Sequence, residues 1–291
     1  MSKFPLTQGE LKNILNKTLE ASEKTGKKLL KHQRKLGDLK ISSKQAQGVV
    51  SNADVEAENF LIKQLKPLVK DAEFLAEESA FEKFGGRSDA YQAYQKVPFA
   101  WIIDPLDGTT NYLNNMDYYG VCVCLVHYGE PILAVIHRPR TSQSYYVIKN
   151  KGSFLLTKLE TLKGPKVKKT KLELGKGSKK LRNSLLVTGF ACEKGQEFKT
   201  EFEIFLTMMK SARGIRRMGS AALDMCLVAE GIFDGFWERG LSPWDMAASS
   251  LIASEAGAFV SDYNGKAFNP FLSTIVVGHK KIKKELLNNL K

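Results

Sequence analysis

The first seventy positions carry apolar residues at the three- and four-residue spacing of amphipathic helices. Between residues 8 and 40 these apolar positions are Leu11, Ile14, Leu15, Leu19, Leu29, Leu30 and Leu36. Because glycine weakens a helix, the pattern predicts a helical segment that is broken near Gly26. A second helix is predicted over residues 54–70, with Asp54 at its start.

Apolar runs bounded by polar and glycine-containing stretches predict strands. Residues 74–76 (FLA) and 99–103 (FAWII) are read as strands, and residues 80–96 between them as a loop. Further strands are predicted over 119–127, 131–137, 144–150, 184–189, 232–237 and 258–261, and helices over 197–212, 220–230, 244–256 and 280–287. This mixture is typical of α/β or α+β layers in which helices cover sheets. We expect one domain, 1–291, with approximate lobes 1–183 and 184–291.

Positive charge is concentrated in one segment of the chain. The sequence holds 44 Lys plus Arg against 31 Asp plus Glu, a net charge of +13, and residues 149–182 contribute +10 of it. A patch for nucleic acid or another anionic partner is one interpretation. A solvated hairpin is the favoured one, because the segment has one arginine and few aromatic residues, whereas base readers usually need Arg or stacking rings.

The remaining composition fits an ordinary soluble protein. Hydrophobic residues make up 43% of the chain, enough to fill a sizeable core, and no apolar run reaches the length of a membrane span. The first residues lack an apolar signal core. We therefore expect a cytoplasmic protein without membrane attachment, whose four cysteines are reduced and mostly buried.

Acidic residues follow the apolar strands at positions where they can meet. Asp104 and Asp107 come directly after the strand at 99–103, Glu77 follows the strand at 74–76, and Asp245 opens a helix. Carboxylates at strand ends are desolvated and repel each other unless a cation lies between them. Hard divalent cations with oxygen ligands meet that need, and Mg²⁺ is the common intracellular one.

Small and hydroxyl-bearing residues follow these acids. Gly108, Thr109 and Thr110 at a helix start offer backbone N–H groups and side-chain donors, which suit a phosphate. Acids for a metal beside a phosphate cradle indicate metal-assisted phosphoryl hydrolysis. The alternative is that residues 104–108 form only a capped turn and that Glu77 is a surface acid.

The order of these motifs resembles the inositol monophosphatase family, in particular its bacterial inositol-1-monophosphatases. The matching blocks are 49–54 (VVSNAD), 77–79 (EES), 101–111 (WIIDPLDGTTN), 217–224 (RMGSAALD) and 241–248 (LSPWDMAA). The resemblance implies a layered α-β-α-β-α sandwich, a homodimer, two or three Mg²⁺ ions and inhibition by Li⁺.

The resemblance also implies a role for each matched residue. The implied Mg²⁺ ligands are Glu77, Asp104, the Leu106 carbonyl, Asp107 and Asp245. Thr109, paired with Asp54, and Glu77 would orient and deprotonate the attacking water. Four of these metal ligands are also implied to contact the substrate: Glu77, Leu106, Asp107 and Asp245. Gly108, Thr109 and Thr110 would contact the phosphate. Gly219, Ser220, Ala221 and Glu238 would contact the alcohol.

The substrate and a second role stay open at this point. Inositol 1-phosphate is the favoured phosphate ester, and the related alternatives are a broader sugar phosphatase acting on fructose 1,6-bisphosphate and a 3′-phosphoadenosine nucleotidase. Some bacterial relatives also associate with RNA or transcription complexes, a role that the basic segment 149–182 would serve. We interpret Glu58 as a surface charge, Arg216 and Arg217 as surface or interface residues, and the four histidines as structural or surface residues.

Overall fold

The computed structural model describes residues 5–39, 41–43, 49–85, 88–161, 164–175, 177, 180–190 and 195–290, without the side chains of Asp38, 41–50 and Ser88. Helices and strands alternate through these ranges. The helices are α1 (Gln8–Gln33), α2 (Asn52–Leu65), α3 (Glu77–Phe84), α4 (Ser88–Tyr91), α5 (Thr109–Leu113), α6 (Gln196–Ser211), α7 (Ala221–Ala229), α8 (Pro243–Glu255) and α9 (Lys283–Asn288).

The strands form two larger sheets and one hairpin. They are β1 (Ile41–Ser43), β2 (Val49–Ser51), β3 (Glu73–Ala76), β4 (Phe99–Asp107), β5 (Gly120–His127), β6 (Glu130–Arg138), β7 (Gln143–Ile148), β8 (Ser153–Thr161), β9 (Gly164–Lys171), β10 (Leu185–Thr188), β11 (Gly214–Arg216), β12 (Gly235–Arg239), β13 (Phe259–Ser261) and β14 (Thr274–Gly278). β3 to β9 lie side by side in chain order, with β3 parallel to β4 and the other pairs antiparallel. The smaller sheet has the order β11-β10-β12-β14-β13.

These elements stack as an α-β-α-β-α sandwich, as expected from the resemblance. α1 and α2 cover one face of the seven-stranded sheet, where the core contains residues such as Leu29, Leu61 and Trp101. α7 and α8 fill the space between the two sheets, and α6 and α9 cover the outer face of the smaller sheet. The division at residues 183 and 184 falls between strands of different sheets.

Two sequence predictions are wrong in the first half. α1 runs without a break from Gln8 to Gln33. Gly26 lies inside this helix, at the point where the helix approaches the sheet closely enough to exclude a side chain. A Cβ at Gly26 would lie 2.7 Å from His137 Cδ2. The described residues of the range 80–96 do not form a loop. They contain most of α3, then α4 and a 3₁₀ turn over Gln92–Gln95, and Gly85 ends α3 with a left-handed φ of 61°.

The lysine-rich segment includes a hairpin, as predicted, formed by β8 and β9 at one edge of the larger sheet. The short strands β1, β2 and β11 and the apolar β14 escaped the sequence analysis, as did the 3₁₀ turns. Cys122, Cys124 and Cys226 are free buried thiols, whereas Cys192 lies outside the described residues. In the part of the chain that the structure describes, no helix combines the length and apolarity needed to cross a membrane.

Candidate active site

Three carboxylates converge where β4 ends and α8 begins. Asp104 and Asp107 lie at the C-terminal end of β4, where the register of β4 with β5 is irregular. Asp245 is the third residue of α8. One oxygen from each of Asp104, Asp107 and Asp245 lies within 4.8 Å of the others. The local sequence fixes Asp245, whose Oδ2 accepts a 2.7 Å hydrogen bond from the Ser242 amide in a capping box.

Burial and mutual repulsion make this cluster costly to ionise. Burial raises the pKa of Asp104 well above its ordinary value, and the charges of Glu77, Asp107 and Asp245 raise it further. Burial also raises the pKa of Asp107 to about 6, although hydrogen bonds from Ser220 and Ala222 oppose the shift. A set of buried and partly buried carboxylate oxygens that repel each other fits a hard divalent cation. The cluster contains no His or Cys among the described residues.

Asp107 is held by the start of α7. Its Oδ2 accepts hydrogen bonds from Ser220 Oγ at 2.5 Å and from the Ala222 amide at 2.9 Å. Ser220 is also the N-cap of α7. The resemblance implied that Ser220 contacts the substrate; in the structure its buried hydroxyl is engaged with Asp107.

Asp54, Thr109 and Leu106 form a connected group beside the carboxylates. Thr109 Oγ1 lies 3.2 Å from Asp54 Oδ1 and 3.1 Å from the Leu106 carbonyl. Asp54 is buried in the first turn of α2, where its Oδ2 accepts hydrogen bonds from Ser51 N at 2.8 Å and Ser51 Oγ at 2.6 Å. The hydroxyl of Thr109 is therefore positioned by the nearby Leu106 carbonyl and by Asp54, which lies 55 residues away in the sequence.

The turn at Gly108 brings α5 against the α7 segment. Gly108 has a φ of 95°, and a Cβ there would lie 3.1 Å from the Tyr118 carbonyl and 3.2 Å from the Gly219 carbonyl. Asn111 Nδ2 donates to the carbonyls of Tyr118 and Met218, both at 2.8 Å. The sequence analysis missed Asn111, whose place at the end of the DGTTN block was the available signal.

Glu77 lies next to this cluster rather than inside it. It is partly buried at the start of α3, directly after β3, and its charge contributes to the raised pKa of Asp104. The three-residue cluster Asp104, Asp107 and Asp245 does not include it.

Glu58 was interpreted as a surface charge, and that interpretation is wrong. Glu58 is 4% exposed, and it accepts hydrogen bonds from the amides of Glu78 at 2.7 Å and Ser79 at 2.9 Å. Burial raises the pKa of Glu58, and these hydrogen bonds oppose the shift. Glu58 thus holds the first turn of α3, the turn that carries Glu77. Its spacing of four residues from Asp54 and three from Leu61 was the signal for a buried face.

A pocket of about 430 Å³ opens beside the carboxylates. Its lining includes Asp107, Thr110, Gly219, Ser220, Ala221, Glu238 and Asp245. Burial and nearby acids raise the pKa of Glu238 well above its ordinary value, and the charge of Arg217 opposes this. Gly189 makes room for Glu238, since a Cβ there would overlap both oxygens of the Glu238 carboxylate.

Arg217 and Asp224 complete the polar lining of the pocket. Arg217 is exposed at the mouth, where its guanidinium lies 5.5 Å from the ring centroid of Phe190. Burial raises the pKa of Asp224 to about 8, against the hydrogen bond that Tyr118 donates to it at 2.7 Å. The sequence analysis gave no role to Asp224, although it closes the RMGSAALD block.

Comparisons with known proteins agree with this arrangement. The model of the inositol monophosphatase family matches residues 10–291. The inositol-1-monophosphatase of Rhizobium meliloti (strain 1021) is 35% identical over 274 residues, 94% of each chain, and the Nus factor SuhB of Pseudomonas aeruginosa is 31% identical over 281 residues, 95% of each.

Solved structures show the same fold. The extragenic suppressor protein suhB of Bartonella henselae superposes with a TM-score of 0.80 at 29% identity, covering 96% of this chain and 98% of its own. An IMPase of Thermotoga maritima superposes with a TM-score of 0.76 at 26% identity, covering 95% of this chain and 96% of its own.

Proposed function

This chain belongs to the inositol monophosphatase family of metal-dependent phosphatases, and we propose that it hydrolyses inositol 1-phosphate to myo-inositol and phosphate with Mg²⁺. The observation that carries the proposal is the convergence of two buried carboxylates, Asp104 and Asp107, and the partly buried Asp245 beside a pocket that also contains Glu238. The relative from Rhizobium meliloti, named an inositol-1-monophosphatase, supports the choice of substrate.

The proposed Mg²⁺ ligands are Glu77, Asp104, Asp107, Asp245 and the Leu106 carbonyl, which would hold two or three ions. Bound Mg²⁺ supplies positive charge that offsets the phosphate and makes water more acidic. The carboxylates are suited to this because they are buried, as Asp104 and Asp107 are, or partly buried, and because they offer only oxygen donors. Ser220 and Ala222 hold Asp107 by two hydrogen bonds, which fixes this ligand before substrate arrives.

We propose that Thr109, Asp54 and Glu77 act on the attacking water. The Thr109 hydroxyl is oriented by its contacts with Asp54 and the Leu106 carbonyl, so its lone pair is aimed in a fixed direction. Glu77 is the proposed acceptor of the water proton. Glu58 is a positioning residue in this scheme, because it holds the turn that carries Glu77.

The two ends of the substrate have separate partners in the proposal. Gly108, Thr109 and Thr110 would hold the phosphate through amides of the first turn of α5, which have no acceptor within the helix. Gly219, Ala221 and Glu238 would face the alcohol, where a carboxylate accepts hydrogen bonds from ring hydroxyls. Ser220 would line this end through its backbone, since its hydroxyl is used by Asp107.

The test is phosphate release from a panel of substrates, with Mg²⁺ and with EDTA. The panel holds inositol 1-phosphate, fructose 1,6-bisphosphate, histidinol phosphate and 3′-phosphoadenosine 5′-phosphate. We expect the highest kcat/KM for inositol 1-phosphate, no turnover in EDTA and inhibition by Li⁺. A higher kcat/KM for fructose 1,6-bisphosphate or the nucleotide would contradict the proposed substrate and identify the alternative phosphatase.

We also propose that the chain forms a homodimer, as the family resemblance implies. α6 supports this with an apolar face that is exposed in the single chain, at Phe198, Phe202, Leu206 and Met209. Light scattering should give twice the chain mass of 32.5 kDa. A monomer at micromolar concentration would contradict the proposal.

A second candidate function is association with RNA or a transcription complex. The hairpin of β8 and β9 supports it. Every residue of β9 after the first is exposed, and the strand carries four lysines, Lys166, Lys168, Lys169 and Lys171. The relative named Nus factor SuhB points the same way. Replacing these lysines with glutamine should weaken RNA binding and flatten its dependence on salt. If wild type and variant show the same flat salt response, the hairpin has no such role.

A further inference from the structure

A second cavity lies on the face of the seven-stranded sheet that packs against α1. It measures about 340 Å³ and is bounded by α1 on one side and by β7 and β8 on the other. Its floor contains Tyr146 and Phe154, and its rim contains Lys12, Lys151 and Lys169. We call these five residues the lysine-rimmed groove. The groove shares no lining residue with the catalytic pocket.

The two rings on the floor form one aromatic platform. Tyr146 and Phe154 are direct cross-strand partners, and their rings stack with centroids 5.5 Å apart and an interplanar angle of 24°. Cross-strand neighbours on one face of a sheet point the same way, so both rings face α1. Leu15 and Leu19 of α1 close the apolar side of the cavity, and Asn16 adds an amide.

Lys169 ties the platform to the basic hairpin. Its Nζ lies 4.0 Å from the Phe154 ring centroid and 5.6 Å from that of Tyr146. An ammonium over an aromatic face is held weakly where it is exposed to water, and Lys169 lies on exposed β9. The Lys169 side chain can therefore move off the rings when a flat ligand stacks there and the ligand's anionic group offers it a stronger partner.

The groove is positive and has no acidic counterpart in its lining. None of the described residues that line it is Asp or Glu. Two neighbouring lysines of the hairpin have carboxylate partners, Lys158 with Glu23 at 2.5 Å and Lys171 with Glu173 at 2.7 Å. The positive charge of Lys12, Lys151 and Lys169 thus favours an anion beside the aromatic platform.

From this arrangement we propose that the lysine-rimmed groove binds a phosphate-bearing nucleobase. The base stacks on Tyr146 and Phe154, and the phosphate pairs with the lysines of the rim. The volume matches one nucleotide rather than a longer ligand. The tertiary structure therefore brings Tyr146 beside Phe154, the aromatic residue of the lysine-rich segment 149–182. Either a free nucleotide or an unpaired base of RNA meets this chemistry.

The test measures binding by calorimetry to the full chain in EDTA, so that no probe is hydrolysed. The probes are AMP, adenosine, ribose 5-phosphate and an eight-residue oligoadenylate. We expect AMP or the oligonucleotide to bind at least fivefold more tightly than adenosine and ribose 5-phosphate. Binding of AMP identifies a free nucleotide as the source, and binding of the oligonucleotide alone identifies RNA.

Two substitutions locate the site, and a third is the matched control. Phe154→Leu and Lys169→Gln should each weaken binding at least fivefold. Lys168→Gln is the control for AMP binding, because it removes the same charge from the adjacent position of β9. That position faces the other side of the sheet and does not line the groove, so AMP binding should stay unchanged. Phosphatase activity should stay at the wild-type value in all three.

Three results would overturn the proposal: no binding of AMP or the oligonucleotide, equal weakening of AMP binding by Lys168→Gln and Lys169→Gln, or binding of ribose 5-phosphate as tightly as AMP. Because Lys169 is exposed, Lys169→Gln should fold even if Phe154→Leu does not. The measurement needs no catalytic turnover, so its outcome is independent of the proposed phosphatase function.

Discussion

Ser220 Oγ lies 2.5 Å from Asp107 Oδ2, a hydrogen bond between residues 113 positions apart. The same serine begins α7, where its side chain accepts a hydrogen bond from the Leu223 amide at 3.4 Å. The start of a helix between the two sheets is thereby coupled to a carboxylate of the candidate metal cluster.

Ser220→Ala should therefore change both metal use and stability. Losing the hydrogen bond to Asp107 is expected to lower activity, or raise the Mg²⁺ concentration for half-maximal activity, by about 10- to 100-fold. Losing the N-cap should lower the free energy of unfolding by about 1 kcal/mol. Kinetics against Mg²⁺ and urea unfolding measure the two effects. Ser220→Thr should restore both, and an unchanged Mg²⁺ requirement in Ser220→Ala would refute the coupling.

Glu58→Gln should destabilise the protein by about 1–3 kcal/mol, because glutamine offers one acceptor oxygen at a buried position where two backbone amides donate. We also expect a lower kcat, since the turn that carries Glu77 loses its anchor. Urea unfolding and steady-state kinetics measure these effects.

The matched control is Glu56→Gln on the exposed side of the same helix. Its side chain is 59% exposed, so its effect should stay within about 0.5 kcal/mol. Equal effects of the two substitutions would show that Glu58 does not hold the start of α3.

Asp104→Asn should abolish Mg²⁺-dependent turnover and leave the fold intact. Removing one charge relieves repulsion within the buried cluster, so the metal-free protein should be at least as stable as wild type. Phosphate release and the Tm with and without Mg²⁺ are the measurements, and the Mg²⁺-induced rise in Tm should shrink or vanish. Asp117→Asn, at an exposed acid nearby, is the control. Substantial turnover by folded Asp104→Asn would contradict the metal assignment.

Gly26→Ala should lower the free energy of unfolding by about 1–3 kcal/mol, because the new methyl group would lie 2.7 Å from His137 Cδ2. Gly9→Ala provides a comparison within the same helix. A Cβ there would have its nearest contact at 4.0 Å, to Thr7 Oγ1. Thermal unfolding of both variants tests the close approach, and a neutral Gly26→Ala would refute it.

His137 should make the protein sensitive to acid. Burial, with the charge of Lys158, lowers the pKa of His137 to about 4 from an ordinary 6.5. Between these values the unfolded chain binds a proton that the folded chain does not, so stability is full above pH 6.5 and falls as the pH drops toward 4. The loss attributable to His137 is up to about 3 kcal/mol, at 1.36 kcal/mol per pKa unit.

Urea unfolding at several pH values measures this slope. In His137→Asn the slope between pH 6.5 and 4 should decrease, although overall stability also falls because the hydrogen bond with Ser144 Oγ changes. Parallel stability curves for wild type and His137→Asn would show that His137 does not titrate in this range.

The sequence by itself determined the local features of the site. The apolar run before Asp104 specified a buried strand, and the Ser-Pro-Trp-Asp order specified the capped start of α8 that carries Asp245. The motif blocks and their order led to the family and to its layered fold. These features depend on backbone propensity and side-chain period within about ten residues, which is the range over which sequence patterns act.

Only the tertiary structure decided which distant residues meet. Gly26 looked like a helix break, but the close approach of His137 makes it an interior packing position. Glu58 looked like a surface acid, but α3 places two amides on its carboxylate. Both predictions were wrong because packing against another element outweighed the local sequence pattern.

Tertiary packing also decides which residues contact Asp107 and which residues form the lysine-rimmed groove. A strand pattern states which face a side chain occupies, and it leaves open which helix or strand covers that face. Two contacts show this, between Ser220 and Asp107 and between Lys169 and Phe154. Both form only when separate elements pack together. The sequence therefore determined which chemical groups lie at the ends of the strands and helices. The partners of each charged group depended on how the layers pack in three dimensions.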